Sequence, residues 1–126
     1  MAVRKSIFIP GNVPSSKNGR VWTGRYSIAS KATRKYWKSS EPYWESLRKQ
    51  FTSQLKGKNK PYRIKFTFTR GNRHKFDYIN PLQTIQDVMV KHHWIEDDNC
   101  DILIPIMGVY KYDKNNPGVL ITILKS

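Results

Sequence analysis

Six of the nine acidic residues in this chain lie within one stretch of 25 residues, although the rest of the sequence is strongly basic. Carboxylates placed close together repel one another and resist burial, so proteins concentrate them where a cation or proton chemistry uses them. The pattern predicts a metal-dependent reaction on an anionic substrate. The alternative is that the acids only balance the local positive charge. The six residues are Asp77, Asp87, Glu96, Asp97, Asp98 and Asp101.

Two predicted elements position the first of these acids. Tyr62–Arg70 alternates apolar and polar residues, which is typical of a strand with one buried face. A helix is predicted from Pro81 to about Trp94, and Asp77 lies between the two elements. Residues in a helix advance by about 100° each, so a polar strip opposite the apolar side begins beside Asp77. The strip consists of Asn80, Gln83 and Asp87, and the opposite side carries Leu82, Ile85, Gln86 and Met89.

The second group of acids follows the predicted helix, in Glu96-Asp97-Asp98-Asn99. If the strand after this loop pairs near Tyr62–Arg70, then Asp77 and Asp97 or Asp98 converge on the polar strip. Mg²⁺ takes oxygen ligands, commonly one or two carboxylates with water and substrate phosphate. Such an ion activates water and stabilises the charge that develops on a phosphodiester. Asp-Asp-Asn also forms turns, and this reading stays open.

The charge of the chain indicates its class of partner. There are 23 Lys and Arg residues against 9 Asp and Glu, a formal net charge of +14, which favours nucleic acid first and an anionic membrane surface second. The longest apolar stretch, residues 102–109, is too short to span a membrane and contains Pro105 and Gly108. Neither a membrane partner nor a small-molecule cofactor is expected.

The length of 126 residues predicts a single domain covering residues 1–126. One cysteine, Cys100, excludes an intrachain disulfide and favours a reducing, cytoplasmic location. A first strand is predicted at residues 6–10, a long loop at residues 12–30, and a helix at residues 31–56 with a break near Ser39-Ser40. Two strands, residues 102–112 and 119–124, follow the second helix. The order predicts an α+β domain with a mixed or antiparallel sheet of about four strands and two main helices.

A basic belt precedes and enters the first predicted helix. Lys17 and Arg20 are expected to contact phosphates, and neighbouring aromatic side chains to stack on unpaired bases or pack against the sheet. The alternative is a solvated loop. Arg73, His74 and Lys75 immediately precede Asp77, so they would meet the same phosphates or form a solvated turn. The other members of the belt are Arg25, Lys31, Arg34 and Lys35, interleaved with Trp22, Tyr26 and Tyr36.

These motifs resemble the RusA family of Holliday junction resolvases over residues 6–124. Lys75-Phe76-Asp77-Tyr78-Ile79-Asn80, then Asp87, then residues 94–99 match the family's acidic motifs. Residues 9–11, with Ser16-Lys17-Asn18 and Arg20, are similar to its N-terminal loop. The resemblance implies an α+β homodimer that binds branched DNA and cuts it symmetrically with Mg²⁺ or Mn²⁺. It implies that Asp77, Asp87 and Asp98 form the metal-binding and catalytic carboxylate cluster, with Asp97 beside it.

Two positions depart from the family pattern. The family carries Asp-x-Asp-Asn where this chain has Ile79 in place of the second aspartate, and a lysine where this chain has Gln83. Lys75 or Lys91 could supply the missing positive charge, and Glu96 or Asp101 the missing ligand. The departures leave open a DNA-binding protein on the same fold that does not cut. An RNA-associated or ribosome-associated basic module is a third reading.

His92-His93 and Cys100 have structural explanations. Adjacent residues point to different sides of a helix, and the chain has one further histidine, so a helix-end interaction is favoured over a zinc site. Cys100 is interpreted as a small packing residue rather than a nucleophile, because no base partner is evident in the sequence.

Overall fold

The computed structural model of the protein describes residues 6–14, 20–22, 27–29 and 31–125. Two helices and seven strands are assigned within these residues. None of the described helices is long and apolar enough to cross a membrane. In chain order the elements are β1 (Ile7–Pro10), β2 (Arg20–Trp22), β3 (Ser27–Ala29), α1 (Lys31–Leu55), β4 (Tyr62–Arg70), α2 (Ile79–Lys91), β5 (Leu103–Met107), β6 (Lys111–Tyr112) and β7 (Gly118–Ile123).

Five of the strands form one mixed sheet. β7 lies between β1 and β4 and is antiparallel to both, whereas β5 and β6 pair with β4 in parallel. Phe66 of β4 stands opposite Ile121 of β7 on one side and Met107 of β5 on the other. The predicted α+β fold with two main helices is confirmed, with one strand more than expected in the sheet.

β4 is the strand around which the core is built. Ile64, Phe66 and Phe68 are fully buried at alternating positions, as the sequence pattern predicts, because successive side chains of a strand point to opposite faces. They belong to the same buried cluster as Trp44 and Phe51 of α1. The core cluster also contains Ile85, Val88 and Met89 of α2 and Val119 and Ile121 of β7.

α1 is a single helix of 25 residues, so the predicted break near Ser39-Ser40 is wrong. Pro42 lies inside the helix and has no backbone N–H to donate to the preceding turn. Next to it, the Ser40 hydroxyl donates to the carbonyl of Tyr36 at 2.7 Å and accepts from Trp44 Nε1 at 2.9 Å. Ser40 thus links the turns before and after Pro42.

The long predicted loop at residues 12–30 contains a small second sheet. β2 and β3 pair in antiparallel fashion, with Val21 opposite Ile28. They make a two-stranded sheet separate from the main one.

The predicted strand at residues 102–112 is interrupted in its middle. β5 ends at Met107 and β6 begins at Lys111, and both pair with β4. At the interruption Gly108 approaches β4 so closely that a Cβ there would lie 2.5 Å from Thr67 Oγ1. The chain then leaves the ladder at Val109 and Tyr110, and the Tyr110 N–H donates to the hydroxyl oxygen of Tyr78 at 3.1 Å.

The two helices are joined by a small polar cluster at the end of α2. His92 is buried, and its Nδ1 lies 2.6 Å from Glu45 Oε1 of α1. Arg48 completes the cluster, 3.1 Å from Glu45 and 3.4 Å from the carbonyl of His92. The hydrogen bond from His92 and the nearby Arg48 charge lower the pKa of Glu45 below its ordinary value of 4.5. His92 thus joins the two helices from its position at the end of α2.

This cluster predicts an acid-sensitive contribution to stability. Because the pKa of Glu45 is lowered in the folded protein, its contribution is fully present above pH 4.5 and disappears as the pH falls through the folded value. We expect Glu45→Gln to lower the unfolding midpoint at about pH 6, and the difference from the wild type to shrink as the pH falls through the lowered pKa of Glu45. Glu41→Gln, at an exposed position of the same helix, is the control. A pH-independent difference for Glu45→Gln would contradict the assignment.

Candidate functional site

A cleft of about 620 Å³ opens where the chain passes from β4 into α2. Its walls carry cations, a carboxylate, an amide and aromatic rings in close succession. The basic run 73–75 is exposed, and Asp77 is exposed beside it. The Asn80 N–H donates to the carbonyl of Asp77 at 3.1 Å, which fixes the start of the helix against the cleft. The lining residues are Arg73, His74, Lys75, Phe76, Asp77, Tyr78, Asn80 and Tyr110.

Aromatic contacts hold one side of this cleft in place. The ring of Phe76 packs edge-to-face against Tyr78, with centroids 5.4 Å apart, and against Tyr110, with centroids 5.3 Å apart. The guanidinium of Arg70, a residue only 3% exposed, lies 4.7 Å from the centroid of Phe76 on the core side. Arg73 lies 4.2 Å over the ring of Tyr112 at the outer side. The cleft is therefore bordered by stacked cations and rings.

The loop that leads towards Lys17 and Arg20 is anchored at the same end of β4. Arg70 Nη1 donates to the carbonyl of Val13 at 2.5 Å, and the Gly71 N–H donates to Asn12 Oδ1 at 3.0 Å. Burial lowers the pKa of the Arg70 guanidinium. Arg70 therefore has a structural role, because it contacts both this loop and the aromatic side of the cleft.

α2 presents the polar strip that the sequence predicts. Thr84, Ile85, Val88 and Met89 are buried, while Gln83 and Asp87 are exposed on the outer side together with Lys91. Asn80, nearer the cleft, is half-buried.

The two groups of acids flank opposite ends of α2 along the chain. Asp77 lies after β4, which ends at Arg70, whereas Asp97 and Asp98 precede β5, whose first residue pairs with Tyr62 at the start of β4. β4 has nine residues, so its ends are about 26 Å apart at roughly 3.3 Å per residue. The loop after α2 then returns along the helix, and Gln86 Nε2 donates to Asp98 Oδ2 at 3.3 Å. Gln86 is about 9 Å further along the helix axis than Asn80.

The hydrogen bond from Gln86 brings Asp98 beside α2, the helix that carries Asp87 and follows Asp77, and the convergence of all three carboxylates stays a prediction. Among the residues that the structure describes, no three His, Cys, Asp or Glu side chains are grouped so that they could hold a metal ion. The carboxylate oxygens of Asp77, Asp87 and Asp98 are donors of the type that Mg²⁺ prefers. Asp77 is the acid that stands in the cleft.

Asp97 has a structural explanation in the turn before β5. Its Oδ1 accepts from the Asp98 N–H at 2.7 Å, and its Oδ2 accepts from the Asn99 side-chain amide at 3.1 Å. Asn99 Oδ1 in turn accepts from the Asp101 N–H at 2.9 Å. Asp97-Asp98-Asn99 therefore forms a turn, which is one of the two interpretations that the sequence allowed for this motif.

The other predicted residues have mixed outcomes. Glu96 makes an ion pair with Lys60, which raises the pKa of Lys60. Tyr36 is buried in the core, where desolvation raises the pKa of its hydroxyl, so it packs rather than stacks on a base. Cys100 is exposed, so its interpretation as a packing residue is wrong. Lys17 lies outside the described residues, as does the side chain of Arg20. In the remaining belt, Lys31, Arg34 and Lys35 are exposed on the first turns of α1.

Sequence reasoning missed the contribution of Tyr110 to the cleft. It treated residues 102–112 as one continuous strand, in which Tyr110 would have stayed in the ladder. Gly108 was the available signal, because an isolated glycine within a strand pattern indicates a bulge or a close backbone approach.

Comparison with protein-family models and with curated proteins found no match.

Proposed function

We propose that the protein binds branched DNA and cuts it in a metal-dependent reaction, as the RusA family does. The observation that carries this proposal is the cleft in which the cations of residues 73–75 surround Asp77 and Asn80. A polyanion is attracted to such a site, and the basic surface of the chain extends the attraction beyond it.

The side chains of the cleft divide into two roles. Arg73 and Lys75 bind the phosphates of the DNA backbone, Arg73 being held against Tyr112. Asp77 and Asn80 offer oxygen ligands next to that backbone, and a divalent ion bound there supplies activated water and charge neutralisation. Asp98, which accepts a hydrogen bond from Gln86 of α2, is the candidate ligand from the second acidic group.

Incubation of the protein with a four-way DNA junction and a matched linear duplex tests this function. With Mg²⁺ or Mn²⁺ we expect paired incisions on opposite strands of the junction and little cutting of the duplex. EDTA should stop cutting while binding persists. A junction that is bound but stays intact in every divalent ion would rule out the endonuclease and leave only binding.

A second candidate function is binding of branched DNA without cleavage. The apolar Ile79 in the acidic motif favours it. Ile79 is the first residue of α2 and is 68% exposed, so it has no packing role that explains an isoleucine there. Gln83 is exposed on the same side of the helix.

Restoring the two family residues distinguishes the candidates. The first turn of α2 contains no acidic residue, and Tyr78 at its N-cap makes no side-chain capping bond. A carboxylate at position 79 interacts favourably with the helix dipole, so Ile79→Asp should stabilise the protein by about 0.3–1 kcal/mol in urea denaturation. Combined with Gln83→Lys, it should create or increase junction cleavage.

Ile79→Asn is the matched control, because asparagine has nearly the same shape as aspartate but carries no charge. It should produce neither the increase in cleavage nor the electrostatic part of the stabilisation. Equal cutting by the wild type and the double variant would eliminate the non-catalytic candidate.

A further inference from the structure

Aromatic rings line the cleft in a way that phosphate binding does not require. Tyr110 is 38% exposed and Tyr112 is 40% exposed, although both contact other side chains of the site. Lys and Arg side chains alone suffice to bind a DNA backbone. Exposed rings beside them add flat apolar surfaces, which is what a nucleobase stacks on.

These rings are held rigidly before any ligand arrives. Tyr110 is fixed through its backbone N–H on the Tyr78 hydroxyl and through its ring on Phe76. Phe76 is itself supported from the core side by Arg70. A surface that is already ordered loses little conformational entropy on binding, which favours affinity.

The cleft also has suitable size and polar groups for a base. Its volume of about 620 Å³ is within the range of small-molecule sites, about 300–1,000 Å³. Asn80 offers an amide N–H donor and a carbonyl acceptor. These are the groups that bind the edges of bases, while Arg73 and Lys75 are placed for the adjoining phosphates.

We propose that the cleft binds an unpaired nucleobase, with its face against Tyr110 and its edge towards the side-chain amide of Asn80. This inference rests on the proposed function and names the feature of branched DNA that the site recognises. A base inside a duplex is covered on both faces by its neighbours, so only a base that has left the stack fits the site.

Fluorescence of 2-aminopurine tests the proposal. The probe is a short DNA duplex with one unpaired 2-aminopurine, compared with the same duplex in which that base is paired, both in EDTA. The wild type should change the fluorescence of the unpaired base and bind that duplex more tightly. Tyr110→Leu should lower the affinity for the unpaired probe about tenfold or more and leave the paired probe within about twofold.

Controls keep the result interpretable. Tyr110→Trp and Tyr110→Phe retain a ring and should retain the preference, whereas a merely structural need for tyrosine would be disrupted by tryptophan. Tyr43→Leu, at a similarly exposed tyrosine on α1, should behave as the wild type. Unfolding midpoints of all variants exclude misfolding as the cause.

Several outcomes would overturn the base site. They are an unchanged fluorescence with wild-type protein, equal affinity losses on both probes, and no loss for Tyr110→Leu. If the wild type still cuts junctions in these cases, the proposed function survives and the base site alone fails. If it binds neither probe and no junction, both proposals fail.

Discussion

Asp77→Asn is expected to reduce metal-dependent cleavage of a four-way junction by at least about 100-fold, because a carboxylate that binds a catalytic ion contributes several kcal/mol. Asparagine keeps the shape of the side chain but lacks its charge. Removing a negative charge from a basic cleft does not weaken its attraction for DNA. The rate constant for cutting should therefore fall while the dissociation constant stays equal or decreases, which single-turnover cleavage and binding titrations measure separately.

The control for this variant is Glu41→Gln, which removes a carboxylate from an exposed position on α1. It should cut at the wild-type rate. Asp98→Asn then tests whether the second acidic group serves the same ion. If it does, the double variant with Asp77→Asn should be no slower than the slower single variant, because groups that act as a unit are not additive. Wild-type cutting by Asp77→Asn would remove Asp77 from the mechanism.

Trp94→Ala is expected to destabilise the fold by about 3–5 kcal/mol, as truncation of a buried aromatic residue typically does. Trp94 is 1% exposed and packs between Phe51, with ring centroids 4.6 Å apart, and Trp44, with centroids 4.9 Å apart. Its Nε1 donates to the carbonyl of Trp44 at 2.8 Å. The loss is a large part of the 5–15 kcal/mol that stabilises a typical domain.

Urea denaturation should show a much lower midpoint with an unchanged slope. Trp94→Phe should lie between the wild type and Trp94→Ala, because it keeps a ring but not the donor to Trp44. Tyr43→Ala, 43% exposed on α1, should stay within about 0.5 kcal/mol of the wild type. Similar midpoints for Trp94→Ala and Tyr43→Ala would contradict the central position assigned to Trp94.

The periodic spacing of apolar residues in the sequence predicted the strand and the helix that each have one buried face. β4 has the expected bounds and buried face, and α2 buries Ile85 and Met89 while exposing Gln83 and Asp87. These patterns depend on side chains close in sequence, so the sequence contains the information directly. The break predicted in α1 is wrong, and the Ser40 hydroxyl instead bonds to Tyr36 and Trp44 on the two sides of Pro42.

The three-dimensional arrangement of the site could not be predicted from the spacing of residues in the sequence. The sequence placed a strand after the second acidic group but did not give its direction, which is parallel to β4. Tyr110 joined the cleft because the chain leaves the ladder after Gly108. Both outcomes are set by tertiary packing, which overrides local preference in short strands.

In the main sheet, the first strand of the chain pairs with the last one. β1 takes its ladder bonds from β7, and Ile9 stands opposite Val119, more than a hundred positions later in the sequence. During synthesis residues 7–10 therefore leave the ribosome long before their partner exists. Shortening the chain ahead of Gly118 would strip β4 of one neighbour and leave β1 with no strand to join, so the two distant segments must assemble together as one cooperative unit.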